Sequence, residues 1–197
     1  ETDQVRCMAM SMLGNGLGMS GLYEDALSVG EAELSLRRRL GAPEATILAV
    51  QANLAVTYAT LGQRDKAARI EEDVYCGRVK LNGKEHEETL RAANNYASSL
   101  INLRRFGEAK SLLRRMVPVA RRALGDSDEM TLSMRWMYAV ALFRDDNATP
   151  DDRREAVKKL EELERIARRV LGPAHPLTKG VERGLRHSRA ALSANYN

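Results

Sequence analysis

The side chains of this chain that could do covalent chemistry are few, and none is spaced for it. His86 and His175 occupy equivalent places in a recurring linker, so repetition explains them without catalysis. His187 has no cysteine or carboxylate at metal-ligand spacing. No phosphate loop, dinucleotide fingerprint or nucleophile elbow occurs. Glu161, Glu162 and Glu164 beside Lys158, Lys159 and Arg165 form a solvated helix face with i,i+4 pairs. No enzyme, cofactor or metal is therefore expected. What remains is non-covalent. An asparagine amide offers donors and an acceptor and can bond an extended peptide backbone without reading its sequence. Arginine gives charge-assisted bonds to acids, and the single tryptophan, Trp136, can anchor a partner's side chain.

The elements that would position such groups follow from one spacing. A segment ending in a glycine turn recurs at Gly41, Gly83, Gly125 and Gly172, at intervals of 42, 42 and 47. A small residue, Ala26, Ala67, Ala109 and Ala156, keeps step at 41, 42 and 47. Two markers sharing a period near 42 predict a helical repeat array. Each unit reads as helix A, tight turn, helix B, glycine turn. Large apolar residues at i, i+4 and i+7 of helix A (Leu54, Tyr58, Leu61; Tyr96, Leu100, Leu103) make one buried stripe. The small residues Gly14, Ala55, Ala97 and Ala139 allow close helix approach, and Ala26, Ala67 and Ala109 sit where helix B crosses helix A. The glycines read as C′ caps, and arginines crowd the preceding turns, where they suit the helix dipole.

Each linker places a threonine six residues after its glycine: Thr89, Thr131 and Thr178. Asp128 reads as an N-cap and Pro176 as a first helical residue. The fourth unit carries five extra residues, assigned to an exposed, mobile loop over 144–152. The segment from Val181 to about Leu192 resembles a lone helix A. The expected fold is all-α, a right-handed superhelical solenoid of antiparallel helix pairs in a single array over 1–197. Its repeats span about 3–41, 42–83, 84–125 and 126–172, with a terminal half-repeat or capping helix over 173–197.

Composition agrees with this. The 197 residues are 44% hydrophobic and only 5% aromatic, which favours helices over a sheet fold. With 31 basic and 27 acidic residues the charge is mixed, and paired arginines such as Arg114-Arg115 are interleaved with acids and lack stacking aromatics, so nucleic acid is not an expected partner. No apolar run approaches the ~20 residues of a membrane span. Cys7 and Cys76 suggest no disulfide framework, which points to a reducing, cytoplasmic setting. A start at Glu1 reads as a piece of a longer protein.

These residues resemble tetratricopeptide repeats. The Leu54-Ala55 and Tyr96-Ala97 pairs, Tyr58, the turn between helices and Ala67 carry the likeness. The 42-residue period, the turn Leu171-Gly172-Pro173-Ala174-His175-Pro176, Asn53-Leu54-Ala55 and Asn94-Asn95-Tyr96-Ala97 are similar to the kinesin-light-chain type. Met12 and Met137 depart from it, standing where the asparagine would be. The resemblance implies that helix A lines a concave groove that receives peptide. Carried over by position, that face holds Met8, Ser11, Met12, Asn15 and Met19 in the first unit, Asn53, Val56 and Thr60 in the second, and Arg91, Asn94, Asn95, Ser98 and Asn102 in the third. In the fourth it holds Ser133, Trp136, Met137, Val140 and Arg144. Arg183 and His187 follow on the last helix.

The peptide-binding candidates are thus Asn53, Asn94, Asn95, Asn102, Arg91, Trp136 and Arg144. The set contains no acid, so an acidic peptide is favoured. The expected role is a protein–protein interaction scaffold or adaptor. Two alternatives stand beside it: a self-association or spacer module whose groove is filled by its own chain, and the sensor end of a nucleotide-driven switch. The Met cluster of the first helix, Met8, Met10, Met12 and Met19, is expected to pack against a further unit.

Overall fold

The computed structural model describes residues 2–194, and every regular element among them is an α-helix. In chain order these are α1 (Thr2–Met19), α2 (Tyr23–Arg39), α3 (Glu44–Thr60), α4 (Arg64–Asn82), α5 (Glu87–Asn102), α6 (Phe106–Leu124), α7 (Glu129–Arg144), α8 (Pro150–Val170) and α9 (Pro176–Ala194). They form two compact units, Glu1–Gly83 with α1 to α4 and Lys84–Asn197 with α5 to α9. The antiparallel helix pairs expected from the sequence are present in both.

Two kinds of turn set the helix ends. Each of α1, α3 and α5 ends in a three-residue connection closed by a long-range backbone bond. Leu22 N–H donates to Leu17 C=O, Gln63 to Tyr58 and Arg105 to Leu100, each at 2.9 Å. This is the Schellman arrangement, which needs one residue in the left-handed region. Gly21 and Gly62 supply it at φ 78° and 79°, and Arg104 takes the same place at φ 59°. The ends of α4 and α6 are different. Gly83 (φ 80°, ψ 171°) and Gly125 (φ 97°, ψ 162°) lie in a region open essentially to glycine alone. There the chain leaves the helix fully extended and reaches the next N-cap three residues on.

Those N-caps recur. Asp128 accepts from the backbone N–H groups of Met130 and Thr131 at 2.9 and 3.1 Å, as its sequence position predicts. His86 and His175 do the same work through Nδ1, which accepts from the N–H of Glu88 and of Leu177 at 3.2 Å. Their role is structural, at the start of α5 and α9. The threonine three residues further on is fully buried in each case (Thr89, Thr131, Thr178).

Packing follows the small residues. Ala55 and Ala67 in the first unit, and Ala97, Ala109, Ala139 and Ala156 in the second, are 0% exposed, so helix backbones meet directly over them. In the first unit Val50, Leu54, Tyr58 and Ala67 form a core cluster, flanked by Leu27, Leu34 and Ile70. The Tyr58 hydroxyl donates to Glu31, and Lys66 lies 3.9 Å from the centre of its ring. Burial first, then the bond to Glu31, raise the tyrosine above its ordinary pKa. In the second unit α7 packs against α5 and α9 as well as α6 and α8. Leu132, Ala139, Leu160, Leu163, Val181 and Leu185 form the core there.

The five extra residues of the fourth repeat are not confined to a loop, as the sequence had suggested. The α7–α8 connection is residues 145–149, two longer than the other connections inside a helix pair. Helix α8 is 21 residues against 19 for α4 and α6, and the turn after it is one residue longer than those after α4 and α6. The reason is local. Thr149 and Asp152 form a capping box, with Pro150 in the first turn, so the helix starts inside the stretch 144–152. Asp152 also lies 3.4 Å from Lys110 of α6. The backbone bond from Thr149, above all, holds the Asp152 carboxyl below its ordinary pKa.

Two outcomes follow. Arg104→Gly is expected to stabilise the chain by roughly 0.5–1 kcal/mol, because relief of the left-handed strain outweighs an exposed ion pair with Asp146. An unchanged or lower urea midpoint would show that the turn carries arginine without strain. For the capping box, a depressed carboxyl stabilises the fold above its unfolded pKa and loses that contribution as pH falls through the folded one. Asp152→Asn should therefore be less stable than the parent at pH 7, with the gap closing below the ordinary carboxylate range. A gap that persists at low pH would contradict the assignment.

Candidate functional site

The sequence candidates divide between the two units. Asn53 lies in the first, exposed on α3, and its side chain lines a cavity of about 480 Å³ between α1, α2 and α3. Asn15, Met19, Val56 and Thr60 line the same cavity. Its inner wall holds Glu33, a carboxylate only 4% exposed, which accepts from Ser11 Oγ and from Arg37 Nε at 2.6 Å. A buried acid is tolerated there because it is hydrogen-bonded and paired. Helix α1 also carries an exposed apolar set: Val5, Met8, Met12, Leu13 and Met19, the last 90% exposed. No neighbouring helix covers it among the described residues.

The remaining candidates lie in the second unit, on α5 and its neighbour α7. Asn95 is half-buried and Asn102 exposed at the end of α5. Asn94 is turned inward: its amide oxygen has neither solvent access nor a hydrogen-bond partner. Arg91 is exposed, but its charge is spent locally. It pairs with Glu87 at 2.7 Å and Glu88 at 3.5 Å on its own helix. Met137 and Val140, placed on the groove face by position, are buried in the packing of α7.

The structure brings Trp136 and Arg144 together in one place. A cavity of about 610 Å³ opens between α7 and α9, walled by Trp136, Phe143 and Arg144 on one side and by Arg183, Gly184 and His187 on the other. Arg144 lies 5.9 Å from the centre of the Phe143 ring. His187 Nδ1 sits 3.2 Å from the backbone carbonyl of Arg183. No lining residue is acidic, and neither Arg144 nor Arg183 has an ion-pair partner among the described residues. Other arginines of the second unit find acids, such as Arg135 with Glu162, Arg168 with Glu182 and Arg189 with Glu161.

Trp136 is held by glycine. An added Cβ at Gly184 would lie 2.5 Å from the indole, and one at Gly180 3.7 Å from it. The two glycines, one helical turn apart, form a notch in α9 that seats the ring edge. Sequence reasoning placed Trp136, Arg144, Arg183 and His187 on one face but missed the notch and Phe143. The signal was available: a Gly-x-x-x-Gly spacing one repeat beyond a lone large aromatic.

Helix pairs meeting over alanine, with polar and charged side chains left on the A helices, form a helical-repeat array. Comparison with known proteins makes this specific: residues 47–88 and 89–128 match the tetratricopeptide repeat family model. Two structures of nearly identical TPR-like repeats from a candidate kinesin light chain of Podosopora anserina, one of them a single-residue variant, share this fold. The variant aligns at TM-score 0.80 and 22% identity over 96% of this chain and 87% of its own, the other at 0.78 and 22% over 98% and 89%. BtubC (BKLC) from P. vanneervenii aligns at TM-score 0.60 and 16% identity, over 100% and 85%. No functionally curated protein matches the sequence. Tetratricopeptide repeats are in general protein-interaction scaffolds, and no described helix is long and apolar enough to cross a membrane.

Gly184→Ala should force the rigid indole to move and cost roughly 1–3 kcal/mol, while Gly180→Ala should be neutral or stabilising by up to about 1 kcal/mol through helix propensity. Denaturation curves of the two variants check this. Equal effects would mean that the notch does not hold the ring.

Proposed function

We propose that the chain is a protein-binding scaffold whose helix-A faces receive an acid-bearing segment of a partner, with no catalytic role. The observation that carries this is the cavity between α7 and α9: two arginines without acids, an imidazole, and two aromatic walls. Guanidinium groups left unpaired beside a cleft attract carboxylates by steering and by charge-assisted bonds. Trp136 and Phe143 add apolar area for a side chain between the acids. Asn95 and Asn102 on α5 extend the reading as backbone-binding amides, and Asn94 and Arg91 contribute less, since one is turned inward and the other is already paired. Asn53 does the same work in the first unit, where its cavity has its own apolar lining.

Titration with acidic and basic peptide pools at low and high salt tests the reading. Acidic peptides should bind and weaken as salt rises, and Arg144→Ala should lower their affinity about three- to tenfold, the worth of one charged pair at a partly exposed site. Equal binding by both pools, or binding insensitive to Arg144, would overturn it.

A further inference from the structure

We infer that the cavity between α7 and α9 is a phosphotyrosine subsite, taking the phosphorylated side chain of a partner segment. This rests on the scaffold reading above and narrows it to one kind of residue. The charge count carries the first half of the argument. Arg144 comes from α7 and Arg183 from α9, so two arginines without ion-pair partners among the described residues line the cavity from two helices, with His187. One carboxylate brings a single charge and two oxygens, which one arginine satisfies in a bidentate pair. A phosphate monoester brings about −1.5 to −2 charges and three acceptor oxygens, enough to engage both arginines at once.

The walls carry the second half. Trp136 and Phe143 also line the cavity, and Arg144 lies 5.9 Å from the centre of the Phe143 ring. An aryl group entering the cavity meets aromatic side chains, while a phosphoserine, with its short aliphatic stem, offers them less apolar contact. The volume of about 610 Å³ takes a phosphorylated ring together with the backbone that presents it. Among the described residues no acid lines the cavity to repel the dianion, and the one acid on α9 among its described side chains, Glu182, is engaged by Arg168 at 2.8 Å.

The chain reports on the site by itself, since Trp136 is its only tryptophan. Blocked pentapeptides with phosphotyrosine, tyrosine, phosphoserine or glutamate at the centre and alanine elsewhere are titrated against the full chain, with indole emission excited beyond tyrosine absorption. The phosphotyrosine peptide should change the emission saturably and bind at least tenfold tighter than each of the others. Arg144→Ala and Arg183→Ala should each weaken it about tenfold or more, and Arg144→Lys less than Arg144→Ala. Both arginines are exposed, and circular dichroism of the variants separates a lost site from a lost fold. Glutamate binding as tightly as phosphotyrosine would overturn the subsite and leave the acidic-segment reading standing. Phosphoserine binding equally would overturn the aromatic part and with it the inference. Failure of every anionic peptide, with acidic pools also failing, would overturn both readings.

Discussion

Direct contact between helix backbones over alanine is the constraint on which the rest of the structure depends. Ala67, Ala109 and Ala156 on the B helices, and Ala55, Ala97 and Ala139 on the A helices, have no exposure at all. A larger side chain at any of them would push two helices apart and lose close-packed contacts along both. Once a helix pair is clamped there, the 3.6-residue period decides everything else. Leu54 and Tyr58, or Tyr96 and Leu100, must point inward, while Asn53 and Arg91 stay exposed. The side chains that could meet a partner are those left over by the clamp.

Turn chemistry then fixes how one pair hands over to the next. After α1, α3 and α5, a left-handed residue and a Schellman bond reverse the chain within three residues. After α4 and α6, glycine in an extended left-handed conformation carries the chain to an N-cap of its own. The histidines belong to this system. His86 and His175 serve as acceptors at helix starts, in the place where the third linker uses Asp128. A residue type usually associated with catalysis is here a capping group, and its repetition was the clue.

The fold was legible because its determinants are local and repeated. Glycine turns, clamp alanines and the apolar stripe each recur with the same period, so every unit checks the others. The site was less legible, for physical reasons. Whether Arg91 is available depends on Glu87 and Glu88 in its own helix, a pairing that position on a groove face does not reveal. Asn94 and Asn95 are adjacent in sequence, yet one amide oxygen is shut away from water. Met137 and Val140 were assigned to a surface that the packing of α7 closes. Trp136 and Arg144, by contrast, did emerge beside one cavity, because α9 presents glycine where a bulkier residue would have filled it.

Nearest-neighbour packing has a kinetic side. The main interfaces join helices one or two places apart in the chain: α1 with α2, α3 with α4, α5 with α7, α7 with α9. Contact order is therefore low, and little loop-closure entropy must be spent before contacts reward it. A chain emerging from the ribosome can finish each helix pair before the next has been made. The cavity between α7 and α9 draws on more than one pair, since one wall is made before α8 and the other after it. Whatever binds there must wait until α9 has emerged, so the site matures after the helix pair that carries its first wall.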